Sequence, residues 1–229
     1  EQAHPFSAVK GLWSFDRTLQ HFEGNFEVPN FVYQPKSLKL AAKELSILTK
    51  RDRHESGLWE GHIDLKAQKA KYQDSQKLLF VKNLSLEQDF QSQKNLINSK
   101  THFKADQLKL NSTLIGPVNI EFFVYRMPPG IIKTMVEWLQ QQSPSASGEW
   151  VAALPQLIFS QPELRVPTFS LNSSRGGIAG ELFLKVANPD LSWPKDYFHH
   201  LHLYLKLRLP KVILEDLMVE FFKKHLPLQ

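Results

Sequence analysis

The feature that most constrains the fold is an alternation of apolar and polar residues with a period of two. It is clearest in HHLHLYLKLRLP, residues 199–210, where leucines occupy every second position from Leu201 to Leu209. Successive side chains of a β-strand point to opposite faces, so this spacing predicts a strand with one apolar face. His200 and His202 then lie on the polar face. A His-x-His pair can bind a metal, but no third ligand is tied to this face by its spacing, so no metal site is predicted.

The same alternation recurs along most of the chain from about Phe26. It is found in segments such as HIDLKA, LLFVKNLSLEQDF, VNIEFFVYR and IAGELFLKV. The segment SLKLAAKELSIL carries it too, but its phase slips by one residue between Leu40 and Leu45, which indicates a bulge or a bend. Turn residues such as Gly116 and Pro117 separate consecutive segments. The pattern predicts a meander of antiparallel strands.

Two segments follow a helical period instead. In IIKTMVEWLQQQ, residues 131–142, apolar residues recur every three or four positions, and in PKVILEDLMVEFFKKHL they cover a wide arc after Pro210. We expect amphipathic helices at 131–142 and 211–225, packed on the sheet. The predicted fold class is therefore mainly β: a β-rich α+β arrangement, with an extended, twisted antiparallel sheet and two amphipathic helices on it.

The length and composition suit one large folded domain. A chain of 229 residues with 42% hydrophobic content can bury a sizeable core. We expect a single β-rich domain over residues 1–229, with the small polar segment SPSASGE, residues 143–149, as the place for a subdivision. The chain begins EQAHPF, without methionine, and is expected to be the C-terminal portion of a longer protein. No apolar run reaches the roughly 18 to 20 residues needed to span a bilayer.

The charge and the motifs argue against several classes of function. The net charge of +5 comes from basic residues spread along the sequence rather than gathered in an arm. This predicts lysines scattered over a solvated β-face, and no nucleic-acid partner is predicted. Binding of anionic lipid headgroups or of nucleic acid is the less favoured explanation of the charge. The absence of cysteine excludes disulfides, thiolate metal sites and cysteine nucleophiles. Because the sequence also lacks a serine elbow, a phosphate loop and the other common catalytic motifs, we predict a protein that is not an enzyme and has no cofactor.

The apolar side chains of such a sheet have to be covered, and two arrangements do this. One is a closed core beneath the helices, and the other is a curled sheet whose open groove holds an acyl chain or an apolar peptide. A third possibility is a homodimer, or a partner bound by pairing with an edge strand. In a groove, the ligand would lie against six residues of the last two strands: Leu182, Leu184, Val186, Leu203, Leu205 and Leu207.

Two stretches resemble a known family. VPTFSLNSSRGGIAGELFLKV and, after a loop, LHLYLKLRLPKVILEDLM are similar to the end of the YdgA-like proteins, a bacterial family of unknown function from Gram-negative species. The shared features are a glycine-marked strand of alternating leucines and then a strand that runs into a proline, a lysine and a leucine-rich helix. More distantly, the strand character resembles that of the AsmA-like envelope proteins, whose β-grooves are associated with lipid handling.

The resemblance implies a periplasmic protein that is anchored in the inner membrane by an N-terminal segment not in this chain. It carries over no catalytic residue. We therefore expect a non-catalytic cell-envelope protein that binds lipid or another apolar ligand on a curved sheet. The alternatives are a structural module that dimerises or binds partners through its sheet edges, and a hydrolase that acts on envelope material.

Overall fold

The computed structural model describes residues 9–35, 38–53, 59–75, 77–93, 96–111, 113–129, 131, 159–173, 176–186 and 201–215. About 82% of these residues lie in strands, so the prediction of a mainly β fold is confirmed. A short helix, α1, covers residues 211–215. The strands are β1 (Lys10–Phe15), β2 (His21–Tyr33), β3 (Lys39–Arg53), β4 (Trp59–Gln73), β5 (Leu78–Gln93), β6 (Leu96–Ala105), β7 (Gln107–Leu110), β8 (Thr113–Met127), β9 (Glu163–Ser173), β10 (Gly176–Val186) and β11 (Leu201–Arg208).

All eleven strands belong to one sheet, and every pairing is antiparallel. Their order across the sheet is their order in the chain, which confirms the predicted meander. The short strand β7 continues the line of β6 after Asp106, and both lie between β5 and β8. Strands β8 and β9 pair with each other, so the strands before and after residues 132–158 belong to the same continuous sheet.

Beside isolated helical positions at 129, 131, 159 and 160, the described part of the chain shows one short helix, α1, rather than the two amphipathic helices expected on the sheet. It begins as predicted at Pro210, whose carbonyl accepts hydrogen bonds from the amides of Ile213 and Leu214 at 3.0 and 3.1 Å. Residues 132–158 and 216–229 lie outside the described residues. They hold most of the expected helix at 131–142, the rest of the helix at 211–225 and the segment 143–149.

The register sorts the side chains into an apolar face and a polar face, because partners across an antiparallel ladder point to the same side of the sheet. One apolar row crosses the whole sheet: Gly11, Phe26, Ile47, Leu65, Leu86, Phe103, Ile120, Phe169, Gly180 and Leu207. A neighbouring polar row is Glu23, Lys50, His62, Asp89, Lys100, Phe123, Arg165, Phe183 and Tyr204.

The alternation slips by one residue at the same level in strands β2 to β8, and we call this line the crease. Ladder pairing is interrupted there at Pro29, Glu44, Gln68, Asn83, Asp106 and Gly116–Pro117. Glu44 and Asn83 have φ angles of 51° and 50°, and the Asn83 side-chain amide donates to the Asp106 carboxylate at 2.6 Å. At Gly116, with φ 150°, a Cβ would lie 2.3 Å from the carbonyl oxygen of Asp106. The slip predicted between Leu40 and Leu45 is confirmed at Glu44.

The main buried core lies along the crease on the apolar face. Val81, Ala105 and Val118 are its centre, and Val28 and Ala67 are buried next to other crease residues. Half-buried residues pack around this centre, among them Leu79, Leu84, Phe103, Leu108, Ile115, Ile120 and Leu171. Because these buried residues lie on the apolar face beside the crease, the sheet bends towards its apolar face at the crease. The bend therefore brings apolar residues from different strands together within a single sheet.

Candidate functional site

The six residues predicted to line a groove all lie on the apolar face, in one strip at the β11 edge. The alternating leucines of β10 and β11 put them there, since paired residues share a face. The pairs, β10 first, are Leu182 with Leu205, Leu184 with Leu203, Val186 with Leu201, and Gly180 with Leu207. The structure thus brings the predicted residues together, and their role in binding stays a prediction.

Exposure rises from β10 to β11. Val186 is buried and Leu182 and Leu184 are half-buried, whereas Leu203, Leu205 and Leu207 are 63%, 53% and 45% exposed. Among the described strands, β11 pairs with β10 alone, so its outer backbone edge faces no other strand. Within the part of the chain that the structure describes, the leucines of β11 are therefore not enclosed in a core.

The opposite edge of the apolar face carries an aromatic group. Trp13 and Phe15 on β1 are 67% and 51% exposed, and their rings contact Phe26 edge-on at 6.1 Å and Phe22 in a stack at 4.8 Å. Gly24 leaves room for these rings, because a Cβ there would lie 2.6 Å from the Phe26 ring. The predicted alternation begins at about Phe26 and therefore leaves this group out. The alternation of Trp13 with Phe15 was the available signal.

The two edges and the crease together form one apolar surface. Because β6 and β7 share one position, the sheet is ten strands wide, and with strands about 4.8 Å apart it spans about 43 Å. The surface is buried at the crease and open at β1 and β11. Its chemistry is that of hydrocarbon and aromatic contact, with few groups able to form hydrogen bonds along the rows next to the edges.

The polar face carries histidine–carboxylate pairs, which is the chemistry closest to catalysis in the described part of the chain. His62 Nδ1 is 2.9 Å from Asp89 Oδ1, and His21 Nδ1 is 2.6 Å from Asp52 Oδ1. A depression of about 270 Å³ beside the first pair is lined by Lys50, Asp52, Glu60, Gly61, His62, Asp89, Phe90 and Gln91, which include no hydroxyl nucleophile. Both pairs join adjacent strands, as cross-strand ion pairs do. That the protein is not an enzyme stays a prediction.

A buried carboxylate, Glu163, stabilises the pairing of β8, β9 and β10 on the polar face. It contacts the Arg165 guanidinium directly and lies 3.9 Å from Arg126 Nη2. The hydrogen bond to this carboxylate raises the pKa of Arg165. The Arg165 guanidinium also lies over the rings of Tyr125 and Phe183, at 5.7 and 5.4 Å. Because its partners neutralise the carboxylate, we assign this cluster a structural role.

The described residues contain no group of three or more histidine, aspartate or glutamate side chains arranged to hold a metal ion. His202 is exposed on the polar face, opposite Lys185, and His200 lies outside the described residues. In the same part of the chain, no helix has the length and apolar character needed to cross a membrane.

Comparison with known families gives one match, and it covers nearly the whole chain. The model of the family described as "Bacterial protein of unknown function (DUF945)" matches residues 2–226. The chain belongs to this family. The DUF945 match agrees with the coarser part of the resemblance, a bacterial family of unknown function, whereas the YdgA-like and AsmA-like likenesses stay predictions. No curated protein and no solved structure matches the chain.

Proposed function

We propose that this DUF945 protein is a non-catalytic cell-envelope protein that binds a lipid or another apolar ligand on the bent apolar face of its sheet. The observation that carries the proposal is the exposure of Leu203, Leu205 and Leu207 at the end of a continuous apolar surface. Soluble proteins rarely leave large contiguous apolar patches in water unless the patch binds something.

Covering this strip adds a measurable amount to the affinity for an apolar ligand. Full burial of a leucine side chain contributes about 1.5 to 3 kcal/mol, so covering the exposed half of three leucines contributes roughly 3 kcal/mol. That corresponds to about a hundredfold in affinity. An acyl chain suits the strip better than a peptide, because a peptide brings backbone polar groups that the leucine side chains cannot satisfy.

The envelope location comes from the resemblance to the YdgA-like proteins, which implies a periplasmic protein held at the inner membrane. The AsmA-like proteins add an analogy at the level of the fold, an apolar β-groove associated with lipid handling. Both support the same class of ligand as the exposed strip.

The first experiment is native mass spectrometry of the purified protein, followed by organic extraction and lipid analysis of the bound material. We expect a stoichiometric lipid or fatty acid. Leu205→Asp should abolish its binding, and Leu184→Asp should do the same. Leu12→Asp is the matched control, because Leu12 lies on an edge strand but on the polar face, where it is 83% exposed. Leu12→Asp should bind ligand like the unmodified protein.

A bare mass, with no binding of added fatty acid to the unmodified protein, contradicts the proposal. The second candidate is a module that dimerises through β11, and the backbone edge of β11 that faces no other described strand favours it. In that case the bare mass should be that of a dimer, and Leu205→Asp together with a proline in β11 should convert it to a monomer.

A further inference from the structure

The crease divides the polar face into two panels of different charge. The smaller panel consists of residues 30–33, 39–43, 69–73, 78–82, 107–110 and 113–115, and none of these is an aspartate, glutamate or arginine. Its polar-face side chains include six lysines: Lys39, Lys43, Lys69, Lys71, Lys82 and Lys109. On the larger panel the polar rows contain many carboxylates: Glu23, Asp52, Glu60, Asp64, Glu87, Asp89 and Glu121.

The lysines of the smaller panel face one another directly. Lys69 pairs with Lys43 on one side and with Lys82 on the other, so three lysines form one cross-strand row. The next row places Lys71 and Lys109 on either side of Phe80. Neighbouring strands are about 4.8 Å apart, and like charges opposite each other destabilise a sheet. An anionic partner would relieve this repulsion.

The carboxylates nearest to the row compensate for little of it. Glu44 lies 3.7 Å from Lys43 at the crease. Asp106 accepts a hydrogen bond from Asn83, and Asp74 accepts from Tyr72 and from the Lys77 amide. The centre of the panel therefore carries more positive than negative charge.

We propose that the smaller panel docks the protein on the surface of an anionic phospholipid membrane. Lysines near such a surface each contribute about 1 kcal/mol of attraction to its phosphate groups. A shallow depression of about 180 Å³ beside Lys43, Lys69 and Lys71 offers space for a headgroup phosphate. The panel is a broad strand surface with several charges in rows, which fits a planar array of phosphates.

The side chains around the lysines favour a lipid surface over a nucleic acid. Leu114 is exposed directly opposite Lys109, on the same face of the sheet. Aliphatic side chains beside lysines suit the boundary between headgroups and acyl chains. The panel has no arginine, which is common in nucleic-acid sites, and Phe80 is the one aromatic side chain among the paired lysine rows.

The charge distribution also sets the orientation of docking. The larger panel offsets its carboxylates with basic residues such as Lys50, Lys66 and Lys100, whereas the charged side chains of the smaller panel are all lysines, so the smaller panel should approach an anionic surface first. The apolar face is on the other side of the sheet and takes no part in this contact. Docking therefore goes beyond the proposed ligand binding, and each can fail without the other.

The test is sedimentation of the whole 229-residue chain with vesicles of phosphatidylcholine, alone or mixed with phosphatidylglycerol. We expect binding to the mixed vesicles that weakens with added salt. The triple variant Lys43→Gln, Lys69→Gln, Lys82→Gln should bind about a hundredfold more weakly. The matched control, Lys50→Gln, Lys185→Gln, Lys206→Gln, removes the same charge from the larger panel and should bind almost like the unmodified protein.

Three results overturn the proposal: equal binding to vesicles without phosphatidylglycerol, an equal loss in both triple variants, or binding of an oligonucleotide with no binding to vesicles. Thermal melting shows that the variants are folded, and removing the lysine row should not lower their stability. Leu205→Asp separates the two proposals, because it should keep vesicle docking and lose the apolar ligand.

Discussion

The middle and the edges of the apolar face carry the same kinds of side chain and differ widely in exposure. Val118, beside the crease, is 3% exposed, whereas Leu205 on β11 is 53% exposed. The difference arises from the bend, which brings neighbouring rows together in the middle and leaves β1 and β11 at the open rim. In a single sheet, apolar composition therefore does not by itself separate core from surface.

A charge at the crease should have the largest effect on stability. Val118→Asp places a carboxylate among Val81, Ala105 and their apolar neighbours, where it has neither water nor a cationic partner. We expect a loss of about 4 kcal/mol or more in the free energy of unfolding, or failure to fold. Urea denaturation followed by circular dichroism measures it. A loss below about 1 kcal/mol would show that this row is open to water.

Glu163→Gln tests how far buried structure extends towards the β11 edge. The change keeps the shape of the side chain but removes the charge that Arg126 and Arg165 contact. Because both arginines are partly exposed, we expect a loss of about 2 kcal/mol rather than the 3 to 5 typical of a fully buried pair. The same denaturation experiment serves, with Glu181→Gln, whose pair with Lys206 is exposed, as the control. Equal losses in the two variants contradict the prediction.

At the edge itself, substitution should change stability little. Leu205→Asp is expected to cost less than about 1 kcal/mol, because the side chain already contacts water and the charge can remain solvated. A thermal melt beside that of Val118→Asp measures the contrast. If Leu205→Asp unfolds the protein, the strip is covered and belongs to a closed core.

The smallest effect concerns the hairpin turn at the β1 edge. The Asp16 carboxylate accepts hydrogen bonds from the Thr18 hydroxyl and from the His21 and Gln20 amides, which lower its pKa below 3.8. A lowered pKa in the folded state means that the turn is stabilised above the unfolded pKa and loses this stabilisation as pH falls through the folded value. NMR titration should find the Asp16 pKa below 3.8. In Asp16→Asn the change of the Thr18 and Gln20 amide signals in the acid range should disappear. A pKa of Asp16 at or above 3.8 would show that these hydrogen bonds to its carboxylate do not form.

The strands and their order could be predicted from sequence because alternation acts within each strand and each hairpin joins neighbours. The slip in β3 was visible in the same way, between Leu40 and Leu45. The crease as a whole was not, since the signals at Pro29, Gln68 and Asn83 are weak one by one and acquire meaning only when the register aligns them.

The candidate sites show the same division. The leucine strip of β10 and β11 was predictable because its residues alternate within two adjacent segments. The lysine panel was not, and the basic residues looked scattered, because the sequence separates Lys39 from Lys109 while cross-strand pairing collects them. Local periodicity specifies a face, and only the register specifies which distant residues share it.

The meander has a consequence for how the chain reaches its native state. Each strand pairs with the next strand in sequence, apart from the shared position of β6 and β7, so each new strand finds its partner already formed on the preceding part of the chain. Every completed hairpin presents a finished edge to the segment that follows. We therefore expect vectorial folding, in which the chain adds one strand at a time as it emerges during synthesis or translocation.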